Sequence, residues 1–397
     1  MKKLTILAKG INLKRDYSSD IGYRLKGVPK TMSHFYESIL IDTVDGFQCK
    51  TYSNEHPDGY VIVKPKYIPK EALDGDGLKF RFLFEKCMIR FNLFAEKDKL
   101  KTYLKQFRIK FPEYIYDCKN TKNWFFAVPL DKIKIVHDAR KGLKELLSVP
   151  KKDLDEYLTL VIQLVELLAK SGVKADNLGI THSTLMGNYT YGKSDIDIII
   201  YGKGNGWKIL DYLKTARHEK LHWKTDSEWA AYYKEHKTSE SSHFTEQEYV
   251  KHMRRKRYEG MFSGTVFTLF TVEEPGERWF EWHDADYKPL GTVTITGTVT
   301  DHYNSHVRPG YYGIKNGKIV DMHGEKVQID KSLQIDRIVN FSIPFSQQAL
   351  RGEEITACGL LELVTTNKGK KYYRVVVGYF DAYVSERREK EFIKARV

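Results

Sequence analysis

The chain has 397 residues, 41% of them hydrophobic, which is more than one core usually serves and points to two or three domains. Lysine and arginine outnumber aspartate and glutamate by 65 to 52, and a net charge of +13 suits polyanionic partners, most simply nucleic acid or nucleotides, with a merely basic surface as the equal alternative. The four cysteines are scattered without a CxxC pair, which argues against a zinc ribbon or a disulfide framework and suits a reducing cytoplasm.

Residues 1–30 read as a basic, irregular arm, with no apolar stretch long enough for a signal peptide. "FYESILIDTVDGFQCKTY" carries strand-like runs on either side of Asp45-Gly46 and reads as a hairpin. "GYVIVKPKYIP" and "LKFRFLFEKCMIRFNLF" continue as strands, and "KDKLKTYLKQF" as a short helix. No catalytic motif is legible up to about residue 145, so 1–150 is expected to form an N-terminal α/β region.

Over 152–171 the apolar residues recur at helical spacing until Gly172 stops the helix. Gln163 and Glu166 interrupt its apolar run, which argues against a membrane span. "NLGITHS" and "SDIDIIIYG" follow as short strands with a turn-rich link, then "GWKILDYLK" as a helix. Thr245 and Glu248 are spaced as a capping box for a helix running into "VKHMRRKRYEG". "GTVFTLFTV" (264–272) reads as another strand and 273–291 as a linker. Five β segments with turns follow, a count that suits a small OB-type barrel, with a plain β-sandwich as the alternative.

Asp195 and Asp197 are two apart in a strand-like run, so their carboxylates share one side while Ile196 and Ile198 face a core. Two like charges this close repel, and a divalent cation resolves the repulsion. Magnesium accepts one or two protein carboxylates together with phosphate oxygens, so the pair suits phosphoryl or nucleotidyl transfer. The plain alternative is an exposed strand end with the acids bridged to lysines such as Lys193.

The stretch "LGITHSTLMGNYTYGKSDIDIIIYG" resembles the DNA polymerase beta nucleotidyltransferase superfamily. That signature is an apolar residue, Gly, then Gly or Ser, a spacer, and Asp-apolar-Asp-apolar. More narrowly, with "HPDGYVIVKPKYIP" and "VPLDKIKIVHDARKGLKELL", the chain resembles an archaeal group of predicted nucleotidyltransferases. The resemblance implies an α+β multidomain chain. A central polymerase-beta-like domain with a mixed sheet and helices (151–275) would precede an OB-like β-barrel domain (276–397). It implies Asp195 and Asp197 as catalytic ligands of Mg²⁺ (or Mn²⁺), and an NTP held at Ser183 with His182, Thr184 and Lys193. The acceptor hydroxyl would lie on RNA or DNA, or on a protein. Two positions depart from the pattern. His182 stands where the superfamily has Gly, and the third acid is absent from "GTVFTLFTV", where Thr268 or Thr271 takes its place. Glu273 stands at the strand end in a poor register, and Glu281 and Asp284 lie further on. A nucleotide- or nucleic-acid-binding module with a degenerate site is the competing expectation.

Three further features compete for attention. "HEKLH" (218–222) matches a zinc-protease pattern, but its basic flanks and the lack of a third ligand at a familiar spacing favour a charged surface turn. Lys251, Arg254, Arg255, Lys256 and Arg257 form a basic helix end, either a solvated face or a phosphate contact. Tyr303, Arg308, Tyr311, Tyr312, Lys371, Tyr372, Tyr373 and Arg374 mix aromatic and basic character, as base-stacking surfaces do and as ordinary cores also do. The chain is expected to be cytoplasmic, without a membrane partner.

Overall fold

The computed structural model describes residues 34–397 except 84, 93–95, 237, 239–240, 281 and 325–326, so the basic arm 1–30 and Glu281 lie outside the described residues. Strands β1 (Leu40–Thr43) and β2 (Gln48–Thr51) form the expected hairpin, with Gly46 at φ 83° in the left-handed conformation its turn requires. Then come β3 (Tyr60–Pro69), β4 (Phe80–Leu83), β5 (Lys86–Arg90) and helix α1 (Lys97–Lys110). β6 (Ile115–Cys118), β7 (Asn123–Pro129) and β8 (Ile133–His137) complete the first sheet, ordered β4-β5-β3-β2-β1-β8 with β7 on β3 and β6 on β7. α1 buries Leu100, Leu104 and Phe107 against this sheet. The Phe107 ring lies 5.8 Å from that of Phe47 and 5.4 Å from that of Phe126.

The second unit opens with α2 (Ala139–Ser148) and α3 (Glu156–Ala169). α3 starts four residues later than its apolar spacing predicts, because the Asp155 carboxylate accepts from the Leu158 N–H and caps it there. β9 (Leu178–Ile180), α4 (His182–Met186), β10 (Ile196–Tyr201) and α5 (Lys203–Thr215) follow. After β11 (Leu221–His222) come α6 (Asp226–Glu235), α7 (Glu246–Arg255), β12 (Glu259–Phe262) and β13 (Thr265–Val272). The sheet runs β11-β12-β13-β10-β9 and is mixed: β10 is parallel to β13 and antiparallel to β9. Thr245 and Glu248 do form a capping box at α7, and the same device at Thr225 and Glu228 starts α6.

The third sheet contains β14 (Ala285–Asp301), β15 (Gly310–His323), β16 (Ile335–Asn340), β17 (Glu354–Thr366), β18 (Lys371–Val377) and β19 (Phe392–Ala395). Its order is β14-β15-β16-β18-β17-β19, and β17 also pairs with β14, so five strands close on themselves. The stretch read as a linker to residue 291 ends at Asp284. β14 begins at Ala285, because Ala285 and Tyr287 bury against the core and the strand pairs with β17 from Ala285 to Thr298.

Each sheet draws its strands from one continuous stretch of chain; the cores of the first two merge and extend to the third, whose interior keeps a core of its own. Phe125 of the first sheet meets Trp282, Tyr379 and Phe380 at 4.8, 5.7 and 6.0 Å between ring centroids. No helix among the described residues is long and apolar enough to cross a membrane.

Two histidines are built into this framework as neutral rings. His56 Nε2 lies 2.9 Å from the Phe35 carbonyl while its Nδ1 accepts from Ile62 N–H at 3.0 Å. His252 reverses the roles: Nδ1 lies 2.7 Å from the Glu248 carbonyl and Nε2 accepts from Ala395 N–H at 3.0 Å. Burial holds the two at about 3 and about 4, below the usual value of 6.5. The unfolded chain therefore takes up protons that the fold refuses. Their contribution is complete above pH 6.5 and is lost as pH falls towards 4, by about 2 kcal/mol for each ring at pH 5. Urea midpoints at pH 7 and pH 5 check this. Equal midpoints would rule it out, and His252→Gln should flatten the difference.

Candidate active site at the aspartate pair

The turn between β9 and β10 decides where the site's side chains go. Thr181 N–H donates to the Asp197 carbonyl at 3.1 Å, which ties the end of β9 to the start of β10. His182 then sits at φ +52°, the left-handed region that glycine enters freely and residues with a Cβ uncommonly adopt. The position where the superfamily pattern has Gly thus keeps a glycine-like backbone while carrying a histidine. Strain of this kind, of order 1 kcal/mol, persists only where the surroundings enforce it. Tyr157 of α3 is one such brace, with its hydroxyl 2.7 Å from Thr184 Oγ1 and donating to the Asp195 carbonyl at 2.8 Å. Tyr189 stacks on Tyr157 at 4.3 Å and donates to Asp155 at 2.7 Å, fixing the far side of the turn.

Asp195 is exposed at the mouth of β10, and Asp197 is half-buried one strand-step inside. Ile196 and Ile198 are fully buried, as alternation requires. Burial and then the charge of Asp197 push the Asp195 carboxyl above its ordinary range, the repulsion expected of neighbouring acids. Asp197 is met by His182, whose Nδ1 lies 3.1 Å from Oδ2. Burial first, with Lys50 and Lys66 adding to it against the opposing pull of Asp197, lowers this imidazole to about 4. At neutral pH the ring is therefore an uncharged donor. Its Nε2 is buried without a hydrogen-bond partner, and the ring meets Phe270 edge-on at 5.5 Å.

The register across the sheet brings in a third acid from a strand that sequence reading passed over. Asp197 pairs with Thr268 on β13, and Thr268 pairs with Glu259 on β12, so the three residues share one row and one face. Thr268 stands where the acid was expected, and Glu259 is one strand beyond it. Burial, together with the charges of Asp195 and Asp197, raises the Glu259 carboxyl, with Lys224 and Lys256 opposing. Two strand spacings put its backbone about 10 Å from that of Asp197, flanking the pair rather than joining it. The other acids lie elsewhere. Glu273 is buried at the far end of β13 on Lys203, 3.0 Å away, and Asp284 is in the turn before β14. Only the alternation in "YEGMF" hinted that residue 259 belongs to a strand beside this one.

The N-terminal sheet supplies the opposite wall. Lys50 on β2 places its Nζ 4.2 Å from the centroid of Phe270, the ring that also receives His182. Burial lowers Lys50 to about 7 and Lys66 of β3 to about 8, and the charge of Asp197 opposes the fall in both. No sequence motif pointed to these lysines.

The remaining candidates are placed as follows. Ser183 and Thr184 are on α4 beside Tyr157, and Lys193 is exposed in the turn before Asp195. The basic end of α7 is engaged within the chain. Lys251 donates to the Val397 carbonyl at 3.2 Å, Arg254 pairs with Asp226 at 3.0 Å, and Arg255 grips Glu353 at 2.8 and 2.9 Å. Lys256 is buried on the Pro344 carbonyl, and Arg257 lies over Trp223 at 4.7 Å. "HEKLH" forms a turn leading into β11 rather than a helix, with His222 Nε2 3.1 Å from Glu228. In the third sheet Arg308 pairs with Glu37 at 3.0 Å, Tyr312 donates to the Phe345 carbonyl, and Tyr373 accepts from Asp330 N–H. Tyr303 is exposed.

Among the described residues no group of three or more His, Cys, Asp or Glu side chains is arranged to hold a metal. The donor set of Asp195 and Asp197 still suits Mg²⁺, which takes one or two carboxylates and fills its remaining positions with water and substrate phosphates. The raised Asp195 carboxyl and the repulsion behind it are what such an ion relieves. No family model matches the chain, and no solved structure matches it. It is 27% identical over 359 residues to an uncharacterized protein of Methanocaldococcus jannaschii, a likeness spanning 88% of this chain and 98% of that one.

Proposed function

We propose that this protein is a Mg²⁺-dependent nucleotidyltransferase of the polymerase beta type, moving a nucleoside monophosphate from an NTP to an acceptor hydroxyl. The observation that carries the reading is the paired carboxylate of Asp195 and Asp197 at the mouth of β10, behind a turn that keeps the signature's glycine conformation at His182. The mixed second sheet supports the polymerase beta reading, and the five-strand closure of the third supports an OB-like unit.

Mg²⁺ held by Asp195 and Asp197 would neutralise phosphate charge and align the reacting groups. Ser183, half-buried on α4, would contact the triphosphate, whereas Thr184 is buried with its hydroxyl against Tyr157 and braces the turn from inside. Lys50 and Lys66 face Asp197 from the other wall and lend positive charge where pyrophosphate leaves. The acceptor oxygen forms its bond to the α-phosphorus as the bond to the β-phosphate oxygen breaks. Glu259 takes the acceptor's proton, and the burial that raises its carboxyl makes it a stronger base than an exposed glutamate.

Incubating the protein with each labelled NTP, Mg²⁺ or Mn²⁺, and pooled RNA, DNA or protein tests the proposal. Glu259→Gln is expected to lower the transfer rate by about 10²-fold or more with little change in KM for the NTP. A rate equal to wild type would remove Glu259 from the chemistry.

One observation favours a second reading, a binder with a degenerate site. His182 already occupies the Asp197 carboxylate that the ion needs. Nucleotide binding without transfer under every condition would select it.

A further inference from the structure

The imidazole of His182 is built into the fold at a cost. Its backbone holds φ +52°, and its Nε2 is buried without a hydrogen-bond partner. Both features disfavour the folded chain. Three constraints keep the ring in place all the same. The bond from Thr181 N–H to the Asp197 carbonyl, 3.1 Å long, fixes the two backbones side by side. Phe270 meets the ring edge-on at 5.5 Å. Only 12% of the side chain reaches solvent. The one polar contact that results is Nδ1 to Asp197 Oδ2 at 3.1 Å.

That contact engages one carboxylate oxygen and leaves the other. Among the described residues nothing donates to Asp197 Oδ1, and 15% of this side chain stays open. The Asp195 carboxylate, exposed at the mouth of β10, has no hydrogen-bond or ion-pair partner among them either. A cation between the two acids therefore meets Asp197 through a single oxygen. Ions differ in what they ask of a carboxylate. Mg²⁺ is small and strictly octahedral, and one oxygen from each acid plus water serves it. Ca²⁺ is larger, takes more oxygens, and often uses both of one carboxylate. A hydrogen bond to the back of a metal-holding side chain is a common way to fix how that ligand is presented.

We propose that His182 sets the cation preference of the site, holding Asp197 to coordination through one oxygen and so selecting Mg²⁺ or Mn²⁺ against Ca²⁺. His182 is then a positioning residue, acting on the ion through Asp197. The inference rests on the part of the nucleotidyltransferase reading that places a cation at Asp195 and Asp197, and on nothing about the acceptor.

Electron paramagnetic resonance of Mn²⁺, whose free-ion signal falls on binding, tests this without any substrate. Mg²⁺ and Ca²⁺ are titrated as competitors, and the ratio of their competition constants is the readout. Wild type should bind Mn²⁺, and Asp195→Asn/Asp197→Asn should not. His182→Gly suits the same backbone and frees Oδ2, so the ratio should shift towards Ca²⁺ by about tenfold. His182→Asn also tolerates the left-handed region, and its amide can donate where Nδ1 does, so it should keep the wild-type ratio. An unchanged ratio in His182→Gly overturns the proposal. So does tighter binding of Mg²⁺ and Ca²⁺ by the same factor, which would make the ring a mere competitor for the carboxylate. A ratio in His182→Asn that moves as far as in the glycine variant would trace the effect to lost packing on Phe270 and overturn it too. Wild type that binds no Mn²⁺ removes the cation site and the inference with it. The expected shift without transfer from any NTP would remove the enzyme reading alone. Transfer with an unchanged ratio would remove this inference alone.

Discussion

Asp195→Asn and Asp197→Asn are each expected to lower nucleotidyl transfer by about 10³-fold, with no loss of stability in the Asp195 variant. The magnitude follows from the several kcal/mol that a metal-held phosphate contributes in the transition state, at about 1.4 kcal/mol per tenfold. The stability half follows from the repulsion between the two acids. Partial desolvation first and then the charge of Asp197 raise the Asp195 carboxyl, so an uncharged amide there removes a penalty. Asp197→Asn behaves differently, because the His182 Nδ1 at 3.1 Å loses an ionised acceptor. Initial rates measured beside urea midpoints separate the outcomes. Transfer that survives in the double variant would place the chemistry elsewhere on the protein. A large loss of stability in Asp195→Asn would make the acid structural instead.

Arg374→Met is expected to destabilise the third sheet by about 3–5 kcal/mol, the usual result of removing one partner of a buried ion pair. Glu362 is fully buried and Arg374 nearly so. The guanidinium donates from Nε to Glu362 at 2.7 Å and from an amino group to the Tyr379 hydroxyl at 2.9 Å, and it stacks 3.7 Å from the Tyr287 ring. Without it the Glu362 carboxylate loses its paired cation, and only Arg387, which does not bond to it, still offsets its charge. Burial already raises that carboxyl, so the variant should take up a proton on folding and lose more stability as pH rises. Urea midpoints at two pH values measure both effects. Glu362→Leu combined with Arg374→Met should recover much of the loss, since apolar replacement of both partners removes the uncompensated charge. A single variant as stable as wild type would show that water reaches the pair.

The elements that repeat a local rule were legible from the chain alone. The Asp45-Gly46 hairpin, the apolar period of α3 and the Thr245–Glu248 cap depend on neighbours within a few residues. The errors arose where distant contacts override that rule. The supposed linker turns to strand from Ala285 onward because β14 pairs along β17, some 70 residues away, and Tyr287 buries beneath Arg374. At the basic end of α7 tertiary structure adds what spacing does not carry: Asp226, Glu353 and two backbone carbonyls far away in sequence engage four of the five residues.

The candidate site divides in the same way. Sequence alone determined that Asp195 and Asp197 share a side and that a turn precedes them, because alternation along a strand is a property of the backbone. Tertiary structure alone decided which residues face the pair. Glu259 arrives through the register of two further strands, and Lys50 and Lys66 come from another sheet more than a hundred residues earlier. His182 lies next to the motif, yet only the fold shows its ring turned onto Asp197. Charges that act through space carry no period in sequence, so the partners of an acid can be found only once the strands are laid side by side.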